Sequence, residues 1–448
     1  MKLNTKALLL TATALLGFTV LSFRADLLPG IGLHLAGNPD GPRSLLEPQG
    51  LVAQAHYNNY LPAFWGAVLL FCILGGPLVY SLFTRQKNTA NSGGDKRIKS
   101  PAQRMNKAWA GLFLFYLLLF LSPRFLPSAS KGSQKLDVSN PDTIEINVTG
   151  HQWWYSFHYP SHGVVTSNEF VFPTHTPVKI NLLSKDSIHS FWMPKLTGKG
   201  HLQTRGTNHL WIHTENEGNY SGQCTEYCGD SHAYMLFRGI ATSKAKFEKW
   251  IQNQKQPAKL NGLQGQSLLG YELFTGKQLY SLSKEKGMDE NPVNCTDCHA
   301  LGTKPSFPHA PYRTSPYPNL TNFAGRTTLA ASWRNLDKDN LKEWIQQPGK
   351  VKPGNRMWLK LSQAYGMADN ISSPGLFNRK ESKAIRHAKF FTDEEAEALA
   401  TFLLTLKSPD AINWGEPPLE RQERPGWIKA SALTNPPSRK VASNQRTY

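Results

Sequence analysis

One stretch of twelve residues, Cys224-Thr225-Glu226-Tyr227-Cys228-Gly229-Asp230-Ser231-His232-Ala233-Tyr234-Met235, sets the strongest condition on how this chain can fold. Two thiols, an imidazole and a thioether crowd together there. A second imidazole, His189 in Ile188-His189-Ser190-Phe191, comes from well upstream. Soft and borderline ligands of these kinds select copper over hard, oxygen-loving cations. Cys224 and Cys228 stand four apart across a glycine-containing loop, with His232 and Met235 within reach of the same centre. A mononuclear blue-copper site needs one cysteine, two histidines and a weak axial methionine, so this chain supplies one thiolate more than such a site uses. Two sulfurs bridging two copper ions would use both. The competing reading is a disulfide between the two cysteines, the ordinary state of such a pair in an exported domain. It leaves His232 and Met235 unexplained.

On these residues the pattern resembles the binuclear CuA domain of cytochrome c oxidase subunit II. The resemblance implies terminal imidazoles from His189 and His232, bridging thiolates from Cys224 and Cys228, a weak axial ligand in Met235, and a further ligand in the backbone carbonyl of Glu226. It also implies a magnesium ion on the Glu226 carboxylate at the contact with subunit I. The run Gly150-His151-Gln152-Trp153-Trp154-Tyr155-Ser156-Phe157 resembles the family's aromatic patch beside the metal, which makes Trp153 and Trp154 candidates for the point where electrons enter. For either ring, plain packing in a strand is the alternative. His201, His209 and His213 have no counterpart in the ligand pattern, and the last two read as strand residues.

A second motif lies downstream. Cys295-Thr296-Asp297-Cys298-His299 is the CxxCH signature of c-type haem attachment, in which two thiols bind the porphyrin and the adjacent histidine ligates iron. A zinc site would need more ligands at comparable spacing, and none is evident. Tyr317-Pro318-Asn319-Leu320-Thr321, Gly325-Arg326, Trp344-Ile345-Gln346-Gln347-Pro348 and Lys352-Pro353-Gly354-Asn355-Arg356-Met357 are similar to successive landmarks of a cytochrome c domain fused to subunit II. The resemblance makes Met357 the sixth iron ligand, with Met367 the alternative, and gives the Pro318 carbonyl the task of holding His299.

The remaining chain supplies the frame. The start of the chain, with Lys2 and Lys6 before an apolar run over 7–23, reads as a signal peptide or N-terminal anchor over 1–25. Segments 61–83 and 108–126 are apolar and long enough to cross a bilayer core of about 30 Å. Between them Arg85, Lys87, Lys96, Arg97, Lys99, Arg104 and Lys107 are opposed only by Asp95, so this loop is expected on the cytoplasmic side and everything after 126 outside. A transmembrane hairpin over 55–128 follows. The family's acidic residue near the start of the second helix is absent from 100–107, which leaves a proton path through this subunit without its usual acid. Alternating β-branched and aromatic runs at 143–148, 152–159, 170–172, 178–183, 209–213 and 236–242 predict antiparallel strands. Residues 244–256 read as a short helix, 270–284 as a periodic segment, and Thr392 as the cap of a last helix. The tail, rich in proline and charge, reads as an extended arm.

The sequence therefore reads as a multidomain membrane protein. After the hairpin come an all-β cupredoxin-like CuA domain over 140–256, an all-α cytochrome c domain over 262–407 and a tail over 408–448. A net charge of +18 would permit nucleic-acid binding, but no nucleic-acid-reading module occurs, and the basic excess fits membrane topology, anionic lipid and an acidic partner. The resemblance implies the electron-transfer subunit of a caa3-like oxidase in a bacterial-type plasma membrane, facing the outer or periplasmic side. Its partners would be subunits I and III and a reduced carrier such as a soluble or membrane-bound cytochrome. Its cofactors would be binuclear copper, covalent haem c and magnesium at the subunit interface, with oxygen reduction and proton pumping in subunit I. Three alternatives remain from the residues alone: the CuA subunit of a nitric oxide reductase, a membrane-tethered copper chaperone or thiol-disulfide protein, and a quinol oxidase subunit II, which predicts no copper.

Overall fold

The computed structural model describes residues 47–58, 140–302, 317–367 and 387–414. The two expected membrane segments lie outside these residues, and no described helix is long and apolar enough to cross a membrane.

Ten strands form the first body: β1 (Ile144–His151), β2 (Trp154–Tyr159), β3 (Val164–Ser167), β4 (Glu169–Pro173), β5 (Val178–Ser184), β6 (His189–Trp192), β7 (Lys199–Leu202), β8 (Asn208–Ile212), β9 (Gly218–Gln223) and β10 (Leu236–Thr242). They make two five-stranded sheets, β3-β2-β1-β5-β8 and β4-β10-β9-β6-β7. This is the cupredoxin-like β-sandwich expected from the sequence. Alternation explains β5, where Val178, Ile180 and Leu182 are buried while Lys179, Asn181 and Leu183 are only half-buried. The two sheets meet on an aromatic core in which Phe157 stacks on Phe170 and Phe191 on Phe237 at 4.6 and 4.5 Å. β1 runs parallel to β5, and β4 parallel to β10. The residue pair that closes the β1–β5 register, Gly150 with Ser184, stands immediately before the segment that leads to His189.

Helix α1 (Lys244–Gln254) closes the sandwich, capped by the Ser243 side chain and burying Phe247, Trp250 and Ile251. The second body is helical: α2 (Gln266–Thr275), α3 (Ser281–Glu285), α4 (Lys338–Gln346), α5 (Pro348–Val351), α6 (Arg356–Ala364) and α7 (Asp393–Leu403), with a small hairpin of β11 (Thr328–Leu329) and β12 (Arg334–Asn335). The periodic segment expected over 270–284 is thus two helices, because Gly276 ends α2 in the left-handed conformation. Thr392 caps α7 as expected, and Glu395 completes a reciprocal capping box with the Thr392 N–H. The same Glu395 accepts the Ser281 N–H at 2.6 Å, tying α7 to the start of α3.

The start of the expected extended arm is not free. Asn253 donates to the Asp410 carbonyl at 2.9 Å, and Ile412 and Trp414 pack against the sandwich core. Residues 47–58 also lie on the sandwich, through Gly50 N–H to the Lys195 carbonyl at 2.9 Å and the Thr214 hydroxyl to the Gln49 carbonyl at 2.9 Å.

Candidate metal centre

His189 sits at the start of β6, and the loop from Cys224 to Met235 joins β9 to β10, with Cys224 N–H closing its mouth on the Met235 carbonyl at 3.0 Å. Pairing of β6 with β9, Trp192 opposite Gln223, is what brings the distant imidazole to this loop. The donor atoms of His189, Cys224 and Cys228 lie within 4.8 Å of one another. The two sulfurs are 3.8 Å apart and both cysteines are free, whereas a disulfide needs about 2.05 Å. Cys228 Sγ also lies 3.5 Å from His232 Nδ1 and 3.8 Å from Met235 Sδ, and Cys224 Sγ lies 3.2 Å from the Glu226 carbonyl. All six residues expected to hold copper therefore converge.

The donor set fits the metal. His189, Met235, Cys224 and Cys228 are buried. Asp186 Oδ1 binds His189 Nε2 at 2.8 Å, so the ring is held with its Nδ1 inward, and that buried nitrogen has no hydrogen-bond partner. A carboxylate behind a ligating imidazole is the usual way to fix its orientation and raise its basicity. Burial lowers the His189 pKa, but the Asp186 bond and the neighbouring Cys224 outweigh it and the net shift is upward. The thiol pair shares its proton unequally. Cys224 is pulled well down, first by the hydrogen bond from Cys228, and Cys228 is pushed up by the same bond and by burial.

The two tryptophans separate. Trp153 is buried and donates its indole N–H to the Cys228 carbonyl at 2.9 Å, alongside Gln152 Nε2 at the same distance. Trp154 stacks on His151 at 4.3 Å. The Glu226 carboxylate lies 3.5 Å from His201 Nδ1, which gives that histidine a neighbour no sequence motif indicated. His209 lies in β8, as its extended context predicted, and His213 directly follows it.

In the helical body, Cys295–Asp297 forms a single 3-10 turn locked by an Asn294–Asp297 capping box. The His299 N–H returns to the Cys295 carbonyl at 2.8 Å, and His299 Nδ1 meets the Pro318 carbonyl at 2.8 Å. Burial lowers the His299 pKa against that bond, favouring the neutral ring. Cys295, Cys298, His299 and Met357 line one cavity, and Met367 is not among its lining residues. The residues fit a covalently held porphyrin: two thiols, an oriented imidazole and a thioether line the same largely apolar cavity. Burial pushes the Cys295 thiol up to about 11. The cavity extends to the sandwich, where Gln152, Trp153 and Trp154 form part of its wall.

Four supporting residues escaped sequence reasoning: Asp186 behind His189, Gly150 beneath its ring, and Lys352 and Arg356 reaching across from the helical body. A Cβ on Gly150 would lie 2.7 Å from His189 Cδ2, so only glycine lets β1 pass there. Lys352 and Arg356 flank Pro353-Gly354-Asn355, but nothing in that short motif reveals contacts some 170 to 200 residues away.

Residues 162–240 match the sequence family described as cytochrome C oxidase subunit II, periplasmic domain. Cytochrome c oxidase subunit 2 of Bacillus sp. (strain PS3) is 27% identical over 391 residues, covering 84% of this chain and 95% of that protein. The protein of the same name from Bacillus subtilis (strain 168) is 33% identical over 225 residues, covering 48% of this chain and 56% of that protein. Quinol oxidase subunit 2 of Bacillus cereus (strain ATCC 10987 / NRS 248) is 26% identical over 244 residues, covering 52% and 80%.

Proposed function

We propose, from the premise that this chain belongs to the cytochrome c oxidase subunit II family, that it carries electrons from an external reduced carrier through a covalent haem c and a binuclear copper centre into subunit I. The chain is thus a subunit of a haem-copper oxidase and associates with other oxidase subunits. Its β domain is the periplasmic part. Copper would be held by His189, Cys224, the Glu226 carbonyl, Cys228, His232 and Met235. Haem would be held by Cys295 and Cys298, with His299 and Met357 on iron. Both groups supply one-electron storage when bound.

The chain's own residues supply geometry. Asp186 keeps His189 turned inward. Trp153 and Gln152 both donate to the Cys228 carbonyl and so fix the loop backbone at that cysteine. Burial of the ligands excludes water and limits movement of the loop, which keeps the rearrangement on electron transfer small. The Pro318 carbonyl accepts the His299 Nδ1–H, which leaves Nε2 as the ring nitrogen free to ligate. Of the two tryptophans, Trp153 is the better point for electrons to reach copper, because it touches the Cys228 carbonyl while Trp154 stacks elsewhere. The Glu226 carboxylate, beside His201, would bind magnesium with subunit I. A membrane hairpin over 55–128 would anchor the chain with both cofactor domains, over 140–256 and 262–407, on the outer face.

The observation that carries this reading is the buried convergence of His189, Cys224 and Cys228 within 4.8 Å. It weighs against a quinol oxidase subunit, which needs no such ligands, while a copper chaperone would leave Met235 and the haem motif Cys295–His299 unused. The test is a pair of variants in the purified oxidase. Cys228→Ser should abolish the mixed-valence copper resonance and leave haem attached. Met357→Leu should remove low-spin axial ligation and leave copper intact. Survival of the copper resonance in the first variant refutes the bridging thiolate, and an unchanged haem spectrum in the second moves the axial ligand to Met367.

A further inference from the structure

Lys352 carries its charge in an unfavourable place. It is 4% exposed, and its ammonium donates to the Trp153 backbone carbonyl at 2.5 Å. Among the described residues its partner is thus a carbonyl and not a carboxylate. A buried ammonium without a counter-charge costs several kcal/mol, and an apolar side chain would fill the same volume without that cost. Burial accordingly pulls its pKa down to about 7, with the nearby Cys228 opposing the fall.

The bond has a continuation. Trp153, fixed at its carbonyl by Lys352, donates its indole N–H to the Cys228 carbonyl at 2.9 Å. A second connection runs beside the first. Arg356, adjacent to Met357, donates to Gln152 Oε1 at 3.0 Å and lies 3.4 Å from Asp186 Oδ2, while Asp186 Oδ1 binds His189 at 2.8 Å. Between the two, the Ser231 hydroxyl, next to His232, donates to the Pro353 carbonyl. Gly354 permits this approach: its φ is +79°, and a Cβ there would lie 2.5 Å from the Cβ of Asp230.

We propose that segment 352–357 is a positioning clamp between the two centres, in which Lys352 holds Trp153 against Cys228 and Arg356 holds Asp186 against His189, so that the Met357 side of the haem crevice and the copper loop keep one fixed separation. The inference rests on the function proposed above. Arg356 is 46% exposed, and an ion pair of that kind contributes at most about 1 kcal/mol, so its role is directional and not stabilising. Lys352 and Arg356 are positioning residues, since neither supplies a ligand.

Lys352→Met and Arg356→Ala in the full chain, purified within the oxidase, test the clamp with two readouts. The first is hydrogen exchange at the His232 and Met235 amides, which bond to the Gly229 and His232 carbonyls. Lys352→Met should speed it about tenfold, the factor for losing one hydrogen bond to a charged donor. The second is the single electron passing from ferrous haem to the copper pair, with no bond or proton changing, after rapid photoreduction. It should slow about tenfold or more, the scale on which small misplacements are felt. Exchange and transfer at parental rates in a fully loaded Lys352→Met chain overturn the proposal. If that variant fails to load haem or copper, the exposed Arg356→Ala decides: slower transfer with faster exchange supports the clamp, and parental values overturn it. A parent chain lacking copper or covalent haem would instead refute the function on which the clamp rests.

Discussion

Glu169 joins the helical body to the sandwich, and its replacement gives a sharp measure of that union. The residue is 5% exposed at the start of β4. Its carboxylate accepts the Thr327 N–H at 3.0 and 3.2 Å, the Thr327 hydroxyl at 3.0 Å and the Thr328 hydroxyl. Its charge also supports the neighbouring Arg326, whose guanidinium burial pushes down to about 10. In Glu169→Ala the Thr327 N–H and hydroxyl lose their acceptor, while the Thr328 hydroxyl keeps Ser332 at 3.1 Å. Hydrogen bonds to a charged group contribute about 1.5–3 kcal/mol each. With two not remade and Arg326 left without its counter-charge, the loss is about 3–5 kcal/mol, the range for breaking a buried ionic network. At roughly 2–4 °C per kcal/mol for a body of this size, the helical part should melt about 10 °C lower. Calorimetry of the purified full chain should then resolve two transitions where the parent has one. Glu169→Gln, which keeps an acceptor but not the charge, should recover about half of the loss. A Glu169→Ala chain that melts within about 2 °C of the parent in one transition would refute this account of the docking.

Gly150→Ala should push the His189 ring from its seat and weaken copper binding about 10- to 100-fold, as loss of a ligand's support does, read by competitive chelation; parental affinity would contradict the close packing. His151 is 4% exposed, and burial holds its pKa down at about 4. The unfolded chain takes up that proton near pH 6.5, so stability is full above this value and falls as pH drops towards 4, by about 3 kcal/mol at the foot of the window. His151→Phe, which keeps a ring against Trp154, should flatten that limb in denaturant melts, and an unaltered limb would exclude His151 as its source.

What the sequence discloses and what it hides divide along physical lines. The candidate ligands of the Cys224–Met235 loop are legible because their spacing is local, and β5 is legible because its alternation is strict. β7, with Lys-Gly-His-Leu, and β9, with Gly-Asn-Tyr-Ser-Gly-Gln, carry little strand propensity and owe their form to paired neighbours, so local pattern misses them. β6 is too short for alternation to register, although it carries His189. The supports are hidden for a different reason: Lys352 meets Trp153 across 199 residues and Arg356 meets Asp186 across 170, distances at which no periodicity speaks. His201 lacked a place in the ligand motif, and its neighbour Glu226 emerges only when β7 is laid beside the loop. The start of the tail packs on the sandwich because Ile412 and Trp414 are apolar enough to do so within an otherwise polar stretch.

In the proposed function Cys224 and Cys228 share two metal atoms beside a thioether-bound porphyrin. The most direct measurement is the copper, iron and covalent haem content of the purified chain, with mass analysis of the thiols after metal removal. Two coppers and one covalent haem per chain are expected, with both loop thiols reduced. A chain with a cystine at Cys224 and Cys228 and no copper would contradict it.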